Sequence, residues 1–590
     1  MPDALLDSRS EFDRAKLRLG LWLRDNASPT RVLTRDELSR YEGHRFVAGW
    51  HLKIERAGVS EPFDVLINGS FPYSPIRVAY RFQDVYLKWP HVEPGGLLCL
   101  PRRTAASAGL EIAAAGAISD AVALVGQCQD ENFVREELRR EFLSYWGRSE
   151  HKGTTRIRSL LDTANRRPRQ IAVWSGADYT LVGESPDQLL GWLRNTGETK
   201  VSGIVRGLFA YLNEPPIPPF PDRPADLFAV LRQRAPNAIS VLAGLSIIDK
   251  TTITLEASSR SGDGLIGMTL SAPNNFDGFR ESNRLRPAAK LALWQMRSEL
   301  RRTTVDRFDA AWVHGRGFNK QLPTLQAATA LVIGCGSLGS QVAFRLAQAG
   351  ISGTVLVDPD ALSAANVGRH ALGVVSVTLN KAKALADRLR GQFPHMLRIE
   401  DHPMSWQDLY GKHPEIFAEA TLIVACLGEW ASDGQLAEWQ VRQGTAKPIV
   451  YGWLDEFGVA SHAVALAGAT PALGCILDGE GSLRVPETLW DSDGGVTTEP
   501  ACGTLFQPYG PVDLAQAEVL VSRLCIDVLT GRAKPPCHRV YAGSTAQLKE
   551  AGGNWSDEHL ASRPTRFEGA FEYERPVRPC GRCRACQALR

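Results

Sequence analysis

Gly334, Gly336 and Gly339 stand in the pattern G-x-G-x-x-G, between the apolar run TALVIG and the helix-like run SLGSQVAFRLAQAG. Glycines at these positions allow a tight turn and close backbone approach to phosphate, and a helix N-terminus beyond them favours negative charge. Asp358 follows 19 residues after Gly339, closing the run TVLVD, where an acid meets ribose hydroxyls. This much serves NAD and ATP alike. The segment DPDALSAANVGRH and the later NKA separate them, because they add Asn366, Arg369 and Lys381. A triphosphate attacked at its α-phosphorus gathers negative charge and needs cations and donors beyond the glycine loop. Arg369 can clamp phosphate oxygens bidentately and Lys381 adds a mobile point charge. A dehydrogenase has no place for the trio. The plainer alternative is a helix cap for Asn366 and solvated faces for the two cations.

Three cysteine settings carry further chemistry. Cys502 lies in TTEPACGTLFQPYGPVDLAQAEVLVSRLC, a Gly- and Pro-containing loop before a long apolar-periodic helix. A nearby helix N-terminus lowers a thiol's pKa and raises its thiolate fraction; the alternative is a buried structural thiol. Cys99, in GGLLCLPRR, reads on its immediate neighbours as a buried strand residue. Cys580, Cys583 and Cys586 form C-x-x-C-x-x-C, a spacing at which thiolates share a tetrahedral zinc. Zinc wants four ligands, and Cys475 or Cys537 can be the fourth; the alternative is a disordered tail with exposed thiols. Cys335 and Cys426, in the glycine loop and an apolar strand, read as packing residues.

The elements that must position these groups follow from periodicity. The runs FVAGWHLKIER, EPFDVLING and IRVAYRF suit an antiparallel, half-buried sheet, and residues 119–146 a helix. Between 168 and 305 short strands such as RQIAVW, AISVLAGLS and TTITLEAS surround a Pro-rich stretch, with a long helix expected near 287–302 and no catalytic motif. From 326 strands and helices alternate, which means a parallel sheet. The expected organisation is multidomain α/β: residues 1–150, a linker domain at 151–305, a nucleotide domain at 306–545 and a tail at 546–590. The 590 residues suit three to five domains at ~100–200 residues each. A net charge of +2 implies no nucleic-acid partner. The N-terminus lacks an apolar signal core and no apolar run approaches the ~20 residues of a membrane span, so a cytoplasmic protein without membrane contact is expected. Eleven cysteines in such a chain are expected to be catalytic, metal-bound or buried.

GCGSLGS, DPD, NVGR and NKA together resemble the adenylation domain of ubiquitin-activating (E1-type) and ThiF/MoeB enzymes, over about 306–535. The resemblance implies a Rossmann-like fold. It also implies ATP and Mg2+, attack on ATP by the C-terminal carboxylate of a small ubiquitin-like protein, and release of pyrophosphate. Asp358 would then hold ribose, and Asn366, Arg369 and Lys381 the phosphates. Arg316, in WVHGRGFN, resembles the arginine this family sends across a dimer interface, which implies a homodimer. The family often has an Asp after the fourth strand for magnesium; here the stretch reads VACLGEW, which leaves either Glu429 as a substitute or the role moved to another residue. Related adenylation enzymes hold zinc on two C-x-x-C pairs; Cys475 lies near where the first pair would fall, and that pair is incomplete here.

The context of Cys502 is similar to noncanonical activating enzymes of the autophagy type, implying a thioester there. The stretch from FPYSP to LLCLP resembles the ubiquitin-conjugating (E2-type, UBC-like α+β) fold around its active Cys, over about 20–148, implying a second thioester on Cys99. His91-Val92-Glu93 stands where that family usually has His-Pro-Asn, so the Asn that supports the oxyanion is missing. Both halves in one chain resemble the bacterial conjugating–activating fusions of CBASS anti-phage systems, the CD-NTase-associated protein 2 family. That resemblance implies activation of a cGAS-like nucleotidyltransferase (CD-NTase), or of a ubiquitin-like protein, at its C-terminal glycine. The acyl group would pass from Cys502 to Cys99 and then to a target amine, with fusion raising the effective concentration for the transfer. Three other readings are a sulfur-carrier-activating adenylyltransferase, a non-catalytic nucleotide-binding scaffold and an NAD oxidoreductase. The first leaves the N-terminal domain without a use, and the second gains from the missing Asn near Cys99 and the missing magnesium Asp.

Overall fold

The computed structural model describes residues 2–588 except 28–30, 42, 57, 82–84, 103, 200, 202, 247–249, 274–284, 445, 491–496, 499–504, 507 and 563–567. The chain divides into two compact units, Met1–Ser185 with Gly203–Asp306, and Pro186–Ser202 with Arg307–Arg590.

The first unit begins with an antiparallel meander of β1 (Arg31–Val32), β2 (Phe46–Arg56), β3 (Val59–Asn68) and β4 (Arg77–Tyr80). Alternation puts Ala48, Trp50 and Leu52 of β2 and Phe63, Val65 and Ile67 of β3 into one core. Helices Pro2–Asn26 and Leu110–Gln127 cover that face through Leu19 and Leu23 and through Ala113, Ala114, Ala117 and Ala121. Leu110–Gln127 has the length and apolarity to cross a membrane, and it is the one such helix among the described residues. Its apolar side is spent on this core.

A closed seven-stranded barrel follows in the same unit. Its strands are β5 (Arg156–Ser159), β6 (Arg169–Ser175), β7 (Tyr179–Gly183), β8 (Val205–Leu212), β9 (Thr251–Ser259), β10 (Gly262–Leu270) and β11 (Leu300–Arg307). They close in the order β10-β11-β5-β7-β6-β8-β9. Ile157, Val173, Val182, Phe209 and Leu265 fill the inside. Leu208, Ala210, Ile253, Leu255 and Met268 face outward onto helices. Two local expectations fail here. AISVLAGLS lies largely in the helix Pro236–Ala243, because Pro236 presets the first turn and Ala238 and Leu242 share a buried face one turn apart. The helix expected at 287–302 stops at Arg297, and Leu300–Arg307 is a strand whose Thr303 and Thr304 pair with β10. The polar stretch near residue 150 is bonded into the barrel. Trp146 donates its indole N–H to the Thr303 carbonyl (2.9 Å), and Glu150 accepts from the Thr303 hydroxyl (2.9 Å) and the Thr304 N–H (3.1 Å).

The second unit is built on an eight-stranded sheet. β14 (Arg398–His402), β13 (Gly353–Val357), β12 (Thr329–Ile333), β15 (Leu422–Ala425) and β16 (Ile449–Leu454) are parallel in that order. β17 (Ala460–Leu466), Cys537–Ala542 and Phe571–Arg575 extend it antiparallel. Both faces of the central strands β12, β13 and β15 are covered, which is why they read as apolar runs, while the edge strand β14, RIEDH, is half-buried along its length. Helices Ser337–Ala349, Lys381–Gln392 and Pro511–Leu529 pack on one face, and Trp406–Lys412, Pro414–Glu419 and Trp430–Gln443 on the other. The chain leaves β12 toward β13 and β14, then returns to place β15 on its other side. The strand order reverses at the carboxyl ends of β12 and β15, the place where α/β sheets of this kind bind ligands. The polar tail is folded. Phe571–Arg575 joins the sheet, and the fully buried Glu487 receives His559 (2.9 Å), the Tyr573 hydroxyl (2.5 Å) and Arg575 (2.5 Å).

Candidate functional site

The glycine loop runs from β12 into the helix Ser337–Ala349. Gly334 has φ +86°, and a Cβ there would lie 2.6 Å from the Cys426 carbonyl oxygen; a Cβ on Gly339 would lie 1.9 Å from that of Gly334. Gly336 differs: a Cβ there meets nothing within 4 Å, so the loop's turn faces open space. Asp358, at the end of β13, is buried and accepts the N–H of Cys335 (2.8 Å) and of Asp360 (2.8 Å). Burial pushes its carboxyl up, and the two backbone donors oppose that rise. In this structure Asp358 therefore braces the loop, while Asp360 is the exposed acid beside it.

Two residues outside the sequence expectations complete the frame. The buried His370 donates Nε2–H to the Cys335 carbonyl (2.7 Å) and accepts the Leu372 N–H at Nδ1 (3.0 Å). Burial lowers its pKa, which keeps that tautomer neutral. Asn380 donates its amide to the carbonyls of Asp358 (2.9 Å) and Asp360 (3.1 Å), and caps the helix Lys381–Gln392 by accepting the Lys383 N–H. The available signals were His370's adjacency to Arg369 and the Asn of NKA. Lys381 thus starts a helix fastened to the acid pair, with Nζ 3.0 Å from Asp360. Asn366 sits in the single turn Ala364–Asn366 and accepts the Ser363 hydroxyl (2.9 Å). Arg369 has no carboxylate partner among the described residues; its guanidinium lies 4.5 Å from the centre of the Tyr509 ring.

Arg316 is exposed, with φ +52° between two glycines of positive φ. No hydrogen bond or ion pair joins its side chain to the glycine loop among the described residues. His314, two residues before it, donates Nδ1–H to the Gln348 carbonyl (3.0 Å) and meets His395 Nε2 at 2.8 Å. The pair has room for one proton between the rings. Burial, and then the charge of His314, hold His395 down at about 4. An unfolded histidine titrates near ~6.5, so the unfolded chain binds the extra proton first. Stability from this group is complete above pH ~6.5 and falls as pH drops toward 4, by about 3 kcal/mol in all. Urea midpoints at pH 7 and pH 4.5 check this: His395→Gln is expected to flatten the dependence, and an unchanged slope would contradict it.

Glu429 precedes the helix Trp430–Gln443, directly beyond β15, and Asp433 lies one turn on, its N–H bonded to the Glu429 carbonyl (3.1 Å). One Asp433 oxygen is buried without a hydrogen-bond partner. Burial, and then the charge of Glu429, push its carboxyl up to about 7. A carboxylate short of a positive partner beyond the carboxyl end of β15 fits a divalent cation, so Asp433 joins Glu429 as a magnesium candidate. The i, i+4 spacing was the sequence signal for it.

Cys99 is exposed and lies beyond a strand-like pair, not in a strand. Leu97 and Leu98 bridge to Ala79 and Val92, and the Cys99 N–H donates to the His91 carbonyl (2.8 Å). The approach is tight: Gly96 has φ +82°, and a Cβ there would lie 2.2 Å from the Tyr80 carbonyl oxygen. His91 has φ +58°, and its ring stands between Glu137 (3.2 Å) and Glu141 (3.5 Å). Glu93 meets Arg77 (3.3 Å) and His44 (3.3 Å). Cys502 lies outside the described residues. The helix after it, Pro511–Leu529, starts with Asp513 accepting the Gly510 N–H (2.9 Å). Cys335 and Cys426 are buried.

The sulfurs of Cys475, Cys580, Cys583 and Cys586 lie within 4.8 Å of one another. Cys475 is 3.5 Å from Cys586 and 3.7 Å from Cys583, close to the ~3.8 Å edge of a tetrahedral zinc–thiolate site. Cys537 faces Glu574 instead, which leaves Cys475 as the fourth ligand. Burial raises the Cys580 thiol, but the N–H groups of Arg582 and Cys583 outweigh it and bring the thiol to about 6, favouring the ligating thiolate. One zinc per chain is expected by elemental analysis. Cys475→Ser or a strong chelator should release it and lower the melting temperature by several degrees; metal-free protein of unchanged stability would contradict a zinc clasp.

Residues 20–154 match Prokaryotic E2 family B and residues 316–508 match the ThiF family. The ATP-dependent ubiquitin transferase-like protein Cap2 of Enterobacter hormaechei is 40% identical over 70 residues, 12% of each chain. The Pseudomonas aeruginosa protein of that name is 26% identical over 218 residues, 36% of this chain and 38% of its own. The matches thus span well under half of these curated relatives. The crystal structure of E. coli MccB with ATP aligns at 16% identity over 45% of this chain and 68% of that one, with a TM-score of 0.32. The chain joins a domain of Prokaryotic E2 family B to a domain of the ThiF family, an E2–E1 fusion.

Proposed function

We propose that this protein is an ATP-dependent E1/E2-type conjugating enzyme acting on a protein with a C-terminal glycine. The observation that carries the reading is the coexistence in one chain of a ThiF-family domain, in which Arg369 has no carboxylate partner among the described residues, and an exposed cysteine in an E2-family domain. The partner's carboxylate oxygen attacks the α-phosphorus of ATP, the bond to the β-phosphate bridging oxygen breaks, and pyrophosphate leaves. Arg369, Asn366 and Lys381 hold the phosphates as that charge builds, and Lys381 exchanges Asp360 for phosphate. Glu429 and Asp433 would hold Mg2+, which supplies charge neutralisation at the triphosphate.

The Cys502 thiolate then attacks the acyl carbon and expels AMP. The Cys99 thiolate attacks the thioester and expels the Cys502 thiolate. A target amine attacks in turn, loses a proton and expels the Cys99 thiolate, leaving an amide. With no Asn in the place of His-Pro-Asn, the amine step must draw its oxyanion donor from elsewhere in the complex. The partner fits a cGAS-like nucleotidyltransferase or a ubiquitin-like protein, the setting anti-phage defence in the cytoplasm. The assembly fits a homodimer in which Arg316 serves the neighbouring ATP site. The relatives named Cap2 support this reading over sulfur-carrier activation, which leaves Cys99 without a role.

The test is intact mass under non-reducing conditions, with ATP, Mg2+ and the glycine-ended proteins encoded beside this one. An adduct that requires ATP and disappears with added thiol is expected. ATP binding without an adduct on any candidate would favour a nucleotide-binding scaffold instead.

A further inference from the structure

Arg369 and Lys381 are held in different ways. Lys381 is ion-paired to Asp360. Arg369 rests on the Tyr509 ring, and among the described residues its one hydrogen-bond approach from the side chain is a long 3.5 Å to the Tyr509 carbonyl. Tyr509 is itself fixed. It precedes the capped turn Gly510–Asp513, whose Asp513 also accepts from the Gln547 amide (2.9 Å). A Cβ on Gly458 would lie 3.3 Å from the Tyr509 Cβ, so the residue packs against the turn beyond β16. The Tyr509 hydroxyl makes no hydrogen bond among the described residues. A carboxylate in that place would neutralise the guanidinium and compete with phosphate. An aromatic face attracts the same cation and leaves its charge and its fork of donors available.

We propose that Tyr509 is a positioning residue that aims Arg369 at the triphosphate of the bound nucleotide, its ring taking the place of a carboxylate partner. This rests on the phosphate reading of Arg369. The nucleotide meets a guanidinium already oriented, and removing the ring returns the cost of orienting it to each binding event. The ring–cation contact is worth a factor of about five to ten in affinity.

Titration calorimetry with a non-hydrolysable ATP analogue tests this on the full chain, with melting temperature as a fold control. Tyr509→Leu is expected to weaken binding about five- to ten-fold and to raise KM for ATP more than it lowers kcat. Tyr509→Phe, which keeps the ring, should bind like the parent. In the Arg369→Ala background Tyr509→Leu should add nothing, since the ring then has no cation to hold. Unchanged binding in Tyr509→Leu, equal losses in the Phe and Leu variants, or full additivity with Arg369→Ala would each overturn the proposal. A parent protein that binds no nucleotide would overturn the phosphate reading of Arg369 itself, and this inference with it.

Discussion

Cys99→Ala protein, given ATP and its glycine-ended partner, is expected to hold a thiol-sensitive adduct and to form no amide product. The expectation follows from where the two thiols sit in the chain. Cys99 belongs to the E2-family domain and is exposed at the end of a loop fixed by the Gly96 approach to Tyr80 and the bond to the His91 carbonyl. On the proposed route adenylation uses none of these residues, so the first thioester should form at the parent rate while transfer to the amine stops. The loss should be complete, because alanine offers no nucleophile. Denaturing gels with and without thiol, followed by mass analysis of the target, read both halves. Amide product from the Cys99→Ala protein would remove Cys99 from the route. Loss of the first adduct as well would make Cys99 the acceptor from the adenylate.

Arg369→Ala should lower ATP–pyrophosphate exchange by on the order of 10²–10³-fold, the cost of deleting one preorganised donor to a developing charge. Stability should scarcely move. Arg369 is half-buried, has no ion pair among the described residues and rests on one aromatic face, a contact worth about 1 kcal/mol. Arg369→Lys should restore only part of the activity, because an ammonium lacks the planar fork that meets two phosphate oxygens at once. Normal exchange in Arg369→Ala protein with an unchanged melting temperature would take this residue out of the phosphate site.

The parallel sheet and the glycine loop were legible because both are local demands. Strands buried on two faces must be apolar throughout, and the spacing of Gly334 and Gly339 answers carbonyl oxygens that a Cβ would strike. Groups whose partners come from far along the chain were not legible. Tyr509 meets Arg369 across 140 residues, and Cys475 joins Cys586 across 111. The spacing C-x-x-C-x-x-C leaves both Cys475 and Cys537 open; the resemblance to enzymes with two C-x-x-C pairs favours Cys475, and the fold brings its sulfur to the three of the tail. Asp358 stands where the sequence leads one to expect a ribose ligand, and its two oxygens accept the backbone N–H groups of Cys335 and Asp360, the first of them 23 residues away. The seven-stranded barrel reads in the sequence as scattered short strands, because closure depends on strand order and periodicity does not encode it. AISVLAGLS misled through its β-branched residues, whose preference Pro236 and helix packing overrode.

The most direct test of the two-thiol route is the order in which the adduct visits them. Protein mixed with ATP, Mg2+ and the glycine-ended partner, without a target amine, would be quenched in acid at successive times and mapped by peptide mass spectrometry. The acyl group is expected on Cys502 first and on Cys99 later, with only the first position filled in Cys99→Ala protein. Simultaneous labelling of both, or labelling of Cys99 in a Cys502→Ala protein, would contradict it.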